Sequence, residues 1–362
     1  MLAGVPRQGG ASWAVLQYVL GLRRLGHEVL FVEEVEPARF TEAAAVRLRA
    51  LAKEFDLGVC ALLERGTGVT APGSREQLLR AVAGADLLLN LSGTLTDADV
   101  LAAAGLRVYV DLDPAFTQLW HAADGVDMGF DHHERFVTVG RQIGLDGCGV
   151  PTCGRDWITT APPIVLERWP VGGAVVHHGL TTVAHWRAYG SIHHDGVHYG
   201  QKAHALRPLI DIPSQARARF TLALGIHPDE RRDLDALQRH GWQLVDPDAV
   251  AATPAAYHEF VQGSWAELGV AKLGYVTSRC GWFSDRSVCY LASGRPVVAH
   301  DTGFSEWLPT GEGLFAFRTA ADVATAVEEI RGDYPRHCAA ARALAETVFD
   351  SDRVLPELLA CL

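Results

Sequence analysis

Short apolar segments alternate with amphipathic helical segments along the chain, and this alternation constrains the fold more than any other feature. Near the start, Val15, Val19 and Leu22 share one helical face. Gly26 ends that helix, and the apolar run VLFV follows within a few residues. A helix that ends in glycine and leads into a strand is half of a βαβ unit. Repeated units of this kind predict parallel sheets covered by helices.

The strand that should precede the first helix is short. Only Leu2, Ala3, Gly4 and Val5 are available for it. A strand buried on both faces of a parallel sheet usually has a longer apolar run. We therefore expect a truncated first strand, and either a clipped natural N-terminus or a start codon assigned too late.

A Pro- and Gly-rich stretch over 151–173 interrupts the alternation, which resumes after it. Since 362 residues exceed what one core usually holds, we place a domain boundary there. The predicted domains are 1–168 and 172–345, with a last helix over 346–362 that packs back on the first domain. The predicted fold class is α/β, with two Rossmann-like doubly wound parallel-sheet domains facing a cleft.

Composition restricts the class of protein. The formal net charge of −11 argues against a nucleic-acid surface, which needs a basic face. No apolar run reaches the ~18 residues that a membrane-spanning helix needs. The seven cysteines follow no disulfide framework, so we expect reduced thiols in a cytoplasmic protein. Cys148 and Cys153 have no matching Cys or His pair at zinc spacing, and no metal site is predicted.

Polar residues end two apolar strands of the first half. They are Asn90, Ser92, Asp111 and Asp113. The carboxyl ends of strands carry the ligands in open α/β sheets, so these side chains are candidates for a binding site.

A helix start in the second half concentrates hydroxyl and charged side chains. Ser284 is a favourable N-cap, and Asp285 stands where the helix dipole favours a negative charge. The free backbone N–H groups of this start, beside Arg279 and Arg286, predict a site for phosphate or diphosphate. Asp285 would then contact a ribose or sugar hydroxyl. The alternative is a well-capped helix whose arginines are solvated or paired with neighbouring acids.

Other polar residues are expected to line the same cleft. Lys272 follows one predicted strand, and Asp301, Thr302 and Gly303 open the loop after the next one. Lys202, in the first turn of another predicted helix, is placed to reach across the cleft. An exposed helix lysine is the alternative interpretation.

The second half contains LASGRPVVAHDTGFSEWLPTGEGLFAF, followed by a helix with Thr319 and Asp322 at capping-box spacing. This pattern resembles the nucleotide-binding domain of GT-B fold glycosyltransferases of the group 1 type. The start of the chain, GGASWAVLQYVLGLRRLGHEVLFV, resembles the glycine-rich first loop and helix-to-strand transition of the same superfamily. The resemblance implies a nucleotide-diphosphate sugar as co-substrate, bound by the C-terminal domain, and no cofactor. It also implies an acceptor site in the N-terminal domain.

The resemblance also implies roles for individual positions. Gly9 and Gly10 would let the backbone approach the donor phosphates or the acceptor. The positions that match the helix start around the donor diphosphate and ribose are Ser284, Asp285, Arg286 and Ser287. The positions that match the loop at the donor sugar are Asp301, Thr302 and Gly303.

One position departs from the family pattern. Cys289 stands where many members have a ribose-binding glutamate, and the first acid of the retaining two-glutamate pattern falls near Gly281. We expect Asp285, one helical turn before Cys289, to supply the ribose contact instead. The donor and the stereochemistry of transfer stay open.

Glycosyl transfer needs cations for the departing diphosphate, which a helix start with Lys or Arg supplies without a metal. The candidates are Lys202, Lys272, Arg279 and Arg286. An inverting enzyme also needs a base for the acceptor hydroxyl. Asp113, just before a predicted helix, is the first candidate, and a capping role is its alternative. His133 is the second candidate, although paired loop histidines are more often solvated.

Three functions therefore remain open. The favoured one is a transferase acting on a small-molecule, glycan or peptide acceptor. A GT-B fold sugar-nucleotide epimerase would share the donor cleft, but it needs acid and base carboxylates around the sugar, and no such cluster is evident. The third is a non-catalytic nucleotide-sugar binding protein, for which the short first strand is the best argument.

Overall fold

Parallel strands organise both halves of the chain in this computed structural model, which describes residues 2–362. The elements of the first half are α1 (Gly9–Arg24), β1 (Leu30–Val35), α2 (Glu42–Phe55), β2 (Val59–Glu64), β3 (Thr70–Ala71), α3 (Arg75–Ala83), β4 (Leu87–Leu91), α4 (Ala98–Ala103), β5 (Leu106–Asp111), α5 (Phe116–Ala122), β6 (Arg135–Thr138) and β7 (Trp157–Thr159). Strand β1 pairs in parallel with β2, and the short β3 pairs antiparallel on the other side of β2. Strands β4 to β7 form a second, wholly parallel sheet in sequence order.

The second half contains one larger sheet. Its elements are β8 (His177–His185), β9 (Ile192–His194), β10 (Val197–Tyr199), α6 (Lys202–Leu206), α7 (Ile212–Ala216), β11 (Phe220–Gly225), α8 (Arg231–Arg239), β12 (Gln243–Val245), α9 (Pro247–Val250), α10 (Pro254–Gln262), β13 (Ser264–Gly269), α11 (Leu273–Ser278), α12 (Asp285–Ala292), β14 (Val297–His300), β15 (Leu314–Phe317), α13 (Ala320–Gly332), α14 (Tyr334–Leu344) and α15 (Ser351–Ala360). The sheet order is β12-β11-β8-β13-β14-β15, and every pairing in it is parallel. The predicted fold class, two Rossmann-like α/β domains, is confirmed.

The strand expected over Leu2–Val5 does not form. The backbone N–H groups of Leu2, Ala3 and Gly4 instead donate to the carboxylate of Glu33, at 2.8–2.9 Å. Glu33 lies on β1 and is buried, so these three donors satisfy a carboxylate that has little access to water. Because the amides bind a side chain, they are not available for a sheet.

Local sequence signals fix several helix starts. In α13 the Thr319 hydroxyl accepts the Asp322 N–H at 3.2 Å, and the Asp322 carboxylate accepts the Thr319 N–H at 2.9 Å. The predicted capping box is therefore confirmed. Ser284 caps α12 by accepting the Arg286 N–H at 3.2 Å, which confirms the predicted N-cap.

Helix α1 joins the two halves. Trp13 on α1 donates its indole N–H to the carbonyl of Pro254, at the start of α10, at 2.9 Å. On the opposite end of the helix, a Cβ on Gly21 would lie 2.5 Å from the Leu355 side chain, so glycine lets α15 approach closely. Helix α15 is also held by the ion pair between Arg24 and Asp352 at 2.9 Å. The last helix of the chain therefore packs on the first half.

Candidate active site

The candidate site lies where the carboxyl ends of parallel strands from both halves meet. Asp111 ends β5, and the loop after it carries Asp113. From the second half, Lys272 follows β13 and precedes α11. The halves touch directly here, because Gly140 and Trp282 form an isolated β-bridge between them. This edge of a parallel sheet is the usual place for a ligand site.

Asp113 is bound by three side chains of the second half. The Lys272 ammonium donates to both carboxylate oxygens, at 2.9 and 2.8 Å. The Tyr189 hydroxyl donates to Oδ2 at 2.5 Å, and the Tyr275 hydroxyl donates to Oδ1. Two of the predicted residues, Asp113 and Lys272, are thus brought together as an ion pair across the cleft.

Burial sets the protonation of these partners. It raises the pKa of Tyr275 well above its ordinary value, and the neighbouring negative charge of Asp113 acts in the same direction. The pKa of Tyr189 is raised for the same two reasons. Both hydroxyls therefore keep their protons and act as donors. Burial lowers the pKa of Lys272, while the ion pair with Asp113 opposes that shift.

Asp111 holds the loop that carries Asp113. It is fully buried and accepts hydrogen bonds from Thr117 at 2.7 Å and from Gln118 and Thr138 at 2.8 Å. It also accepts the backbone N–H of Asp113 at 2.9 Å. Burial raises the pKa of Asp111, and these hydrogen bonds oppose the shift. Its polar contacts all go to this loop and its neighbours, so Asp111 positions Asp113.

Arg286 is committed to the protein interior. Its Nε lies 2.5 Å from a carboxylate oxygen of Glu267, which is fully buried on β13. Its Nη1 donates to the backbone carbonyl of Val183 on β8 at 3.0 Å. The structure therefore shows the pairing with a neighbouring acid that the sequence left as an alternative. This ion pair ties α12 to the middle of the sheet.

Lys202 is a cation of the cleft with no carboxylate partner within 4.0 Å among residues 2–362. It is half-buried at the start of α6, with its Nζ 5.9 Å from the ring centroid of Trp282. Its pKa is lowered well below the ordinary value by burial and by the positive charges of Arg286 and Lys272. An anion that entered here would relieve this repulsion.

The positive potential extends to two histidines around Lys202. Burial lowers the pKa of His300 to about 4, and Lys202 adds to that shift. Burial also lowers the pKa of His185, with further contributions from Lys202 and Lys272. Both imidazoles are therefore neutral near pH 7. The surroundings of Lys202 therefore have an excess of positive charge, although the whole chain has a net charge of −11.

The start of α12 faces the first half of the chain. Asp285 is half-buried, and burial raises the pKa of its carboxyl. Burial raises the pKa of Tyr18 on α1, and the negative charges of Asp285 and Asp111 act in the same direction. Ser284 and Ser287 are buried beside them. Helix α12 packs against α1 of the first half and α10 of the second half, so it lies at the junction of the two halves.

The glycines of the first loop contact polypeptide across this junction. The Gly9 N–H donates to the carbonyl of Ala251 at 2.8 Å, and a Cβ on Gly9 would lie 2.1 Å from the carbonyl oxygen of Thr253. A Cβ on Gly10 would lie 3.0 Å from the ring of Tyr257. Glycine is needed here because α1 begins against α9 and α10.

The remaining predicted residues are held in structural contacts. Arg279 is half-exposed and pairs with Glu306. Asp301 accepts from Arg318 at 2.8 Å and from the Gly303 N–H at 2.9 Å, and Gly303 has the positive φ of 94° that favours glycine. The Thr302 hydroxyl donates to the backbone carbonyl of Trp282. This loop therefore supports the wall that Trp282 forms beside Lys202.

His133 is placed within the first half. Its Nδ1 lies 2.8 Å from the Gly129 carbonyl and its Nε2 lies 3.0 Å from the Asn90 side-chain nitrogen. These contacts fit a neutral ring that donates from Nδ1 and accepts at Nε2. Burial lowers its pKa, in agreement with that form. Both ring nitrogens are thus occupied by the protein.

Tyr189 and Tyr275 are the site residues that the sequence did not indicate. Neither belongs to a spacing or motif with a known chemical meaning, and their contact with Asp113 spans 76 and 162 residues of chain. The sequence offered only a weak signal for them, because each tyrosine lies a few positions after a strand whose carboxyl end is at the ligand edge of the sheet.

Comparison with known proteins gives a fold. No protein-family model and no curated protein sequence matches the chain. Among solved structures, HepE from Anabaena in complex with UDP and glucose has a TM-score of 0.59 at 14% identity, covering 96% of both chains. An alpha-glucosyltransferase in complex with UDP-glucose and DNA containing an abasic site has a TM-score of 0.61 at 11% identity, covering 98% of this chain and 96% of that one. AviGT4, a glycosyltransferase involved in avilamycin A biosynthesis, has a TM-score of 0.51 at 14% identity, covering 98% and 90%.

These likenesses extend over both halves of the chain, and they define the class of fold. The structure is a GT-B fold, as the resemblance in the sequence implied. Within residues 2–362, none of the helices is both long and apolar enough to cross a membrane. The same residues contain no group of three or more Cys, His, Asp or Glu side chains that could hold a metal ion.

Proposed function

We propose that the protein is a glycosyltransferase that moves a sugar from a nucleotide-diphosphate sugar to an acceptor hydroxyl. The observation that carries the proposal is the cation Lys202, which has no carboxylate partner and lies in the same cleft as the α12 start. A diphosphate supplies the negative charge that this position lacks, and helix N–H groups bind phosphate oxygens. The likeness to structures that hold UDP or UDP-glucose supports a uridine diphosphate sugar as the donor.

Asp113 is the proposed base. In the reaction the acceptor oxygen forms a bond to the anomeric carbon, and the bond from that carbon to the diphosphate oxygen breaks. The acceptor proton passes to the Asp113 carboxylate, and Lys202 with the α12 amides neutralises charge on the departing diphosphate. The acceptor hydroxyl must first replace one of the present donors to Asp113, and the Tyr189 and Tyr275 hydroxyls are the neutral ones.

Lys272 contributes to this scheme through its ion pair with Asp113. Its ammonium lies 2.8 Å from the Asp113 carboxylate and holds that carboxylate in position in the cleft. Because Lys272 belongs to the second half and Asp113 to the first, the pair forms only when the cleft is closed. Closure of the cleft and preparation of the base are thus one event in this proposal.

The test is turnover with a panel of UDP-sugars, each with and without a set of sugar, small-molecule and peptide acceptors. We expect UDP release that depends on acceptor, a large loss of kcat in Asp113→Asn, and donor affinity unchanged in that variant. Asp124→Asn is the matched control, since Asp124 is an exposed carboxylate just after α5. An altered sugar nucleotide without acceptor would identify an epimerase, and saturable binding without turnover would identify a binding protein.

A further inference from the structure

A second cavity lies at the opposite edge of the large sheet, at the amino ends of its strands. It has a volume of about 520 Å³, and its lining includes His178, Gly179, Arg217, Arg219, Trp265 and Arg331. The proposed donor site lies at the carboxyl ends of the same strands, so the two sites are on opposite sides of the domain. A volume in this range is typical of small-molecule sites.

The charge of this cavity has one sign. Three arginines line it and no carboxylate does, although Arg331 pairs with Glu328 outside the lining at 2.7 Å. Arg217 and Arg219 have no carboxylate within 4.0 Å in the described part of the chain. A chain with 43 acidic residues and 32 Lys and Arg residues has ample carboxylates to pair them. Two guanidinium groups that line one cavity without a carboxylate partner attract an anion.

A cavity of similar size at the start of α8 provides a contrast. It measures about 550 Å³ and is lined by three arginines together with Asp229, Glu230 and Asp233. There Arg207 binds Asp233 at 2.7 Å, and Arg187 nearby binds Glu230 at 2.5 Å. Arginines and acids are thus equal in number in the lining of that cavity. The arginine cavity differs because no acid is part of its lining.

Backbone contacts hold the arginine cavity in shape. Arg217 has φ +48°, an uncommon conformation for a residue other than glycine, and its carbonyl accepts Nη2 of Arg331 at 2.9 Å. The carbonyl of Arg219 accepts the Leu180 N–H at 2.9 Å. A Cβ on Gly179 would lie 2.4 Å from that carbonyl oxygen, so β8 and Arg219 approach as closely as glycine allows.

An aromatic ring forms one wall of the cavity. Trp265 is half-buried, and the ring of Tyr334 stacks on it with a centroid distance of 5.3 Å and an interplanar angle of 11°. The Tyr334 hydroxyl also donates to the Trp265 carbonyl at 2.7 Å. A fixed, partly exposed indole beside guanidinium groups suits a ligand with both a phosphate part and a sugar or planar part.

We infer that this cavity binds a small molecule carrying at least two phosphate charges, at a site separate from the donor cleft. Arg217 and Arg219 bind the phosphate oxygens, and Arg331, which pairs with Glu328, fixes the Arg217 backbone. The inference does not depend on the proposed transferase activity, because none of these residues lines the cleft of Asp113 and Lys202.

The experiment titrates pyrophosphate into the full chain by calorimetry, with and without saturating UDP. We expect a binding event that persists with UDP and that weakens at least tenfold in Arg217→Gln/Arg219→Gln. Both side chains are exposed, so this double variant should fold. The matched control is Arg231→Gln/Arg232→Gln, two exposed arginines of the acid-lined cavity, which should stay within twofold of wild type.

Several outcomes would overturn the inference. One is pyrophosphate binding that UDP abolishes entirely, and another is equal affinity in the Arg217/Arg219 variant. An equal loss in the Arg231/Arg232 control would indicate general attraction to arginine. Binding to phosphatidylglycerol vesicles without binding of pyrophosphate would assign the cavity to a lipid headgroup and reject a small ligand. If UDP itself does not bind, the proposed function fails, yet the two variants still decide this inference.

Discussion

Replacing Lys202 by methionine should weaken donor binding and stabilise the fold at the same time. The side chain is half-buried without a carboxylate partner, next to Arg286 and Lys272, and its pKa is depressed. If its ammonium binds the donor diphosphate, its loss removes one charge-assisted hydrogen bond, worth about 1.5–3 kcal/mol. This corresponds to a UDP affinity roughly 10- to 150-fold lower. Methionine keeps the length of the chain and removes the buried charge.

The stability effect has a defined dependence on pH. A lysine whose folded pKa is lowered binds more protons when unfolded, so it opposes folding below its unfolded pKa of about 10.4. This destabilisation decreases as the pH rises from the lowered pKa of Lys202 in the folded chain to its pKa in the unfolded chain. Wild type should therefore gain stability relative to Lys202→Met as pH rises through this window.

Calorimetry with UDP and denaturant unfolding at several pH values measure both effects. Lys53→Met is the control, because Lys53 is exposed on α2, far along the chain from the cleft residues. Unchanged UDP affinity in Lys202→Met would remove this lysine from the donor site. A variant less stable than wild type at pH 7 would show that Lys202 contributes to the fold, and would contradict the electrostatic argument.

Three further predictions concern residues that the structure reassigns or explains. Arg286→Met should destabilise the fold by about 3–5 kcal/mol, since it leaves the buried Glu267 carboxylate unpaired, and adding Glu267→Gln should recover part of that loss in denaturant unfolding. Gly9→Ala should lower the thermal midpoint, because a Cβ there forces α1 away from the Thr253 carbonyl. Gly26→Ala is the control and should lower the midpoint less, because no atom lies within 4 Å of a Cβ at Gly26 and only the positive φ of this residue opposes the substitution. His133→Phe should become more stable than wild type as pH falls below about 6.5, because the native imidazole resists protonation, and the pH profile of turnover should stay as in wild type.

The alternation of strands and helices was sufficient to predict two Rossmann-like domains, because it is a local pattern that repeats many times. Helix caps at Ser284 and Thr319 were equally local and are confirmed. The partner of Arg286 was not predictable, since Glu267 lies on a strand 19 residues earlier and only the sheet brings it under α12. Both interpretations of Arg286 were compatible with the sequence, and the structure shows the pairing with Glu267.

The short first strand shows a different limit. Its apolar residues suggested a strand, but the outcome depends on Glu33, a buried acid on β1 that takes the three free amides. Two adjacent glutamates at the end of an apolar run gave no sign that both would be buried. Side chains that capture backbone groups of distant segments are invisible to periodicity, and they decide local structure at such places.

The ion pair between Lys272 and Asp113 should hold the cleft closed. Lys272 is 13% exposed and Asp113 is 26% exposed, so the pair is less screened than a surface ion pair. In Lys272→Met the carboxylate keeps only the two tyrosine hydroxyls, and we expect closure to weaken by about 1–3 kcal/mol. A population with separated domains should then appear as a larger radius of gyration in small-angle scattering. Lys272→Arg, which retains the charge, should remain closed.

Ligand provides the decisive control for this prediction. UDP bound at Lys202 and α12 occupies the second half alone, so it should not close the cleft of Lys272→Met by itself. Adding an acceptor that contacts Asp113 should restore the wild-type radius, because it bridges the halves at the point where the ion pair is missing. An unchanged radius in Lys272→Met without ligand would show that packing of α1 against α10 and α15 holds the domains together. In that case the ion pair of Lys272 would position the carboxylate of Asp113 without holding the domains together.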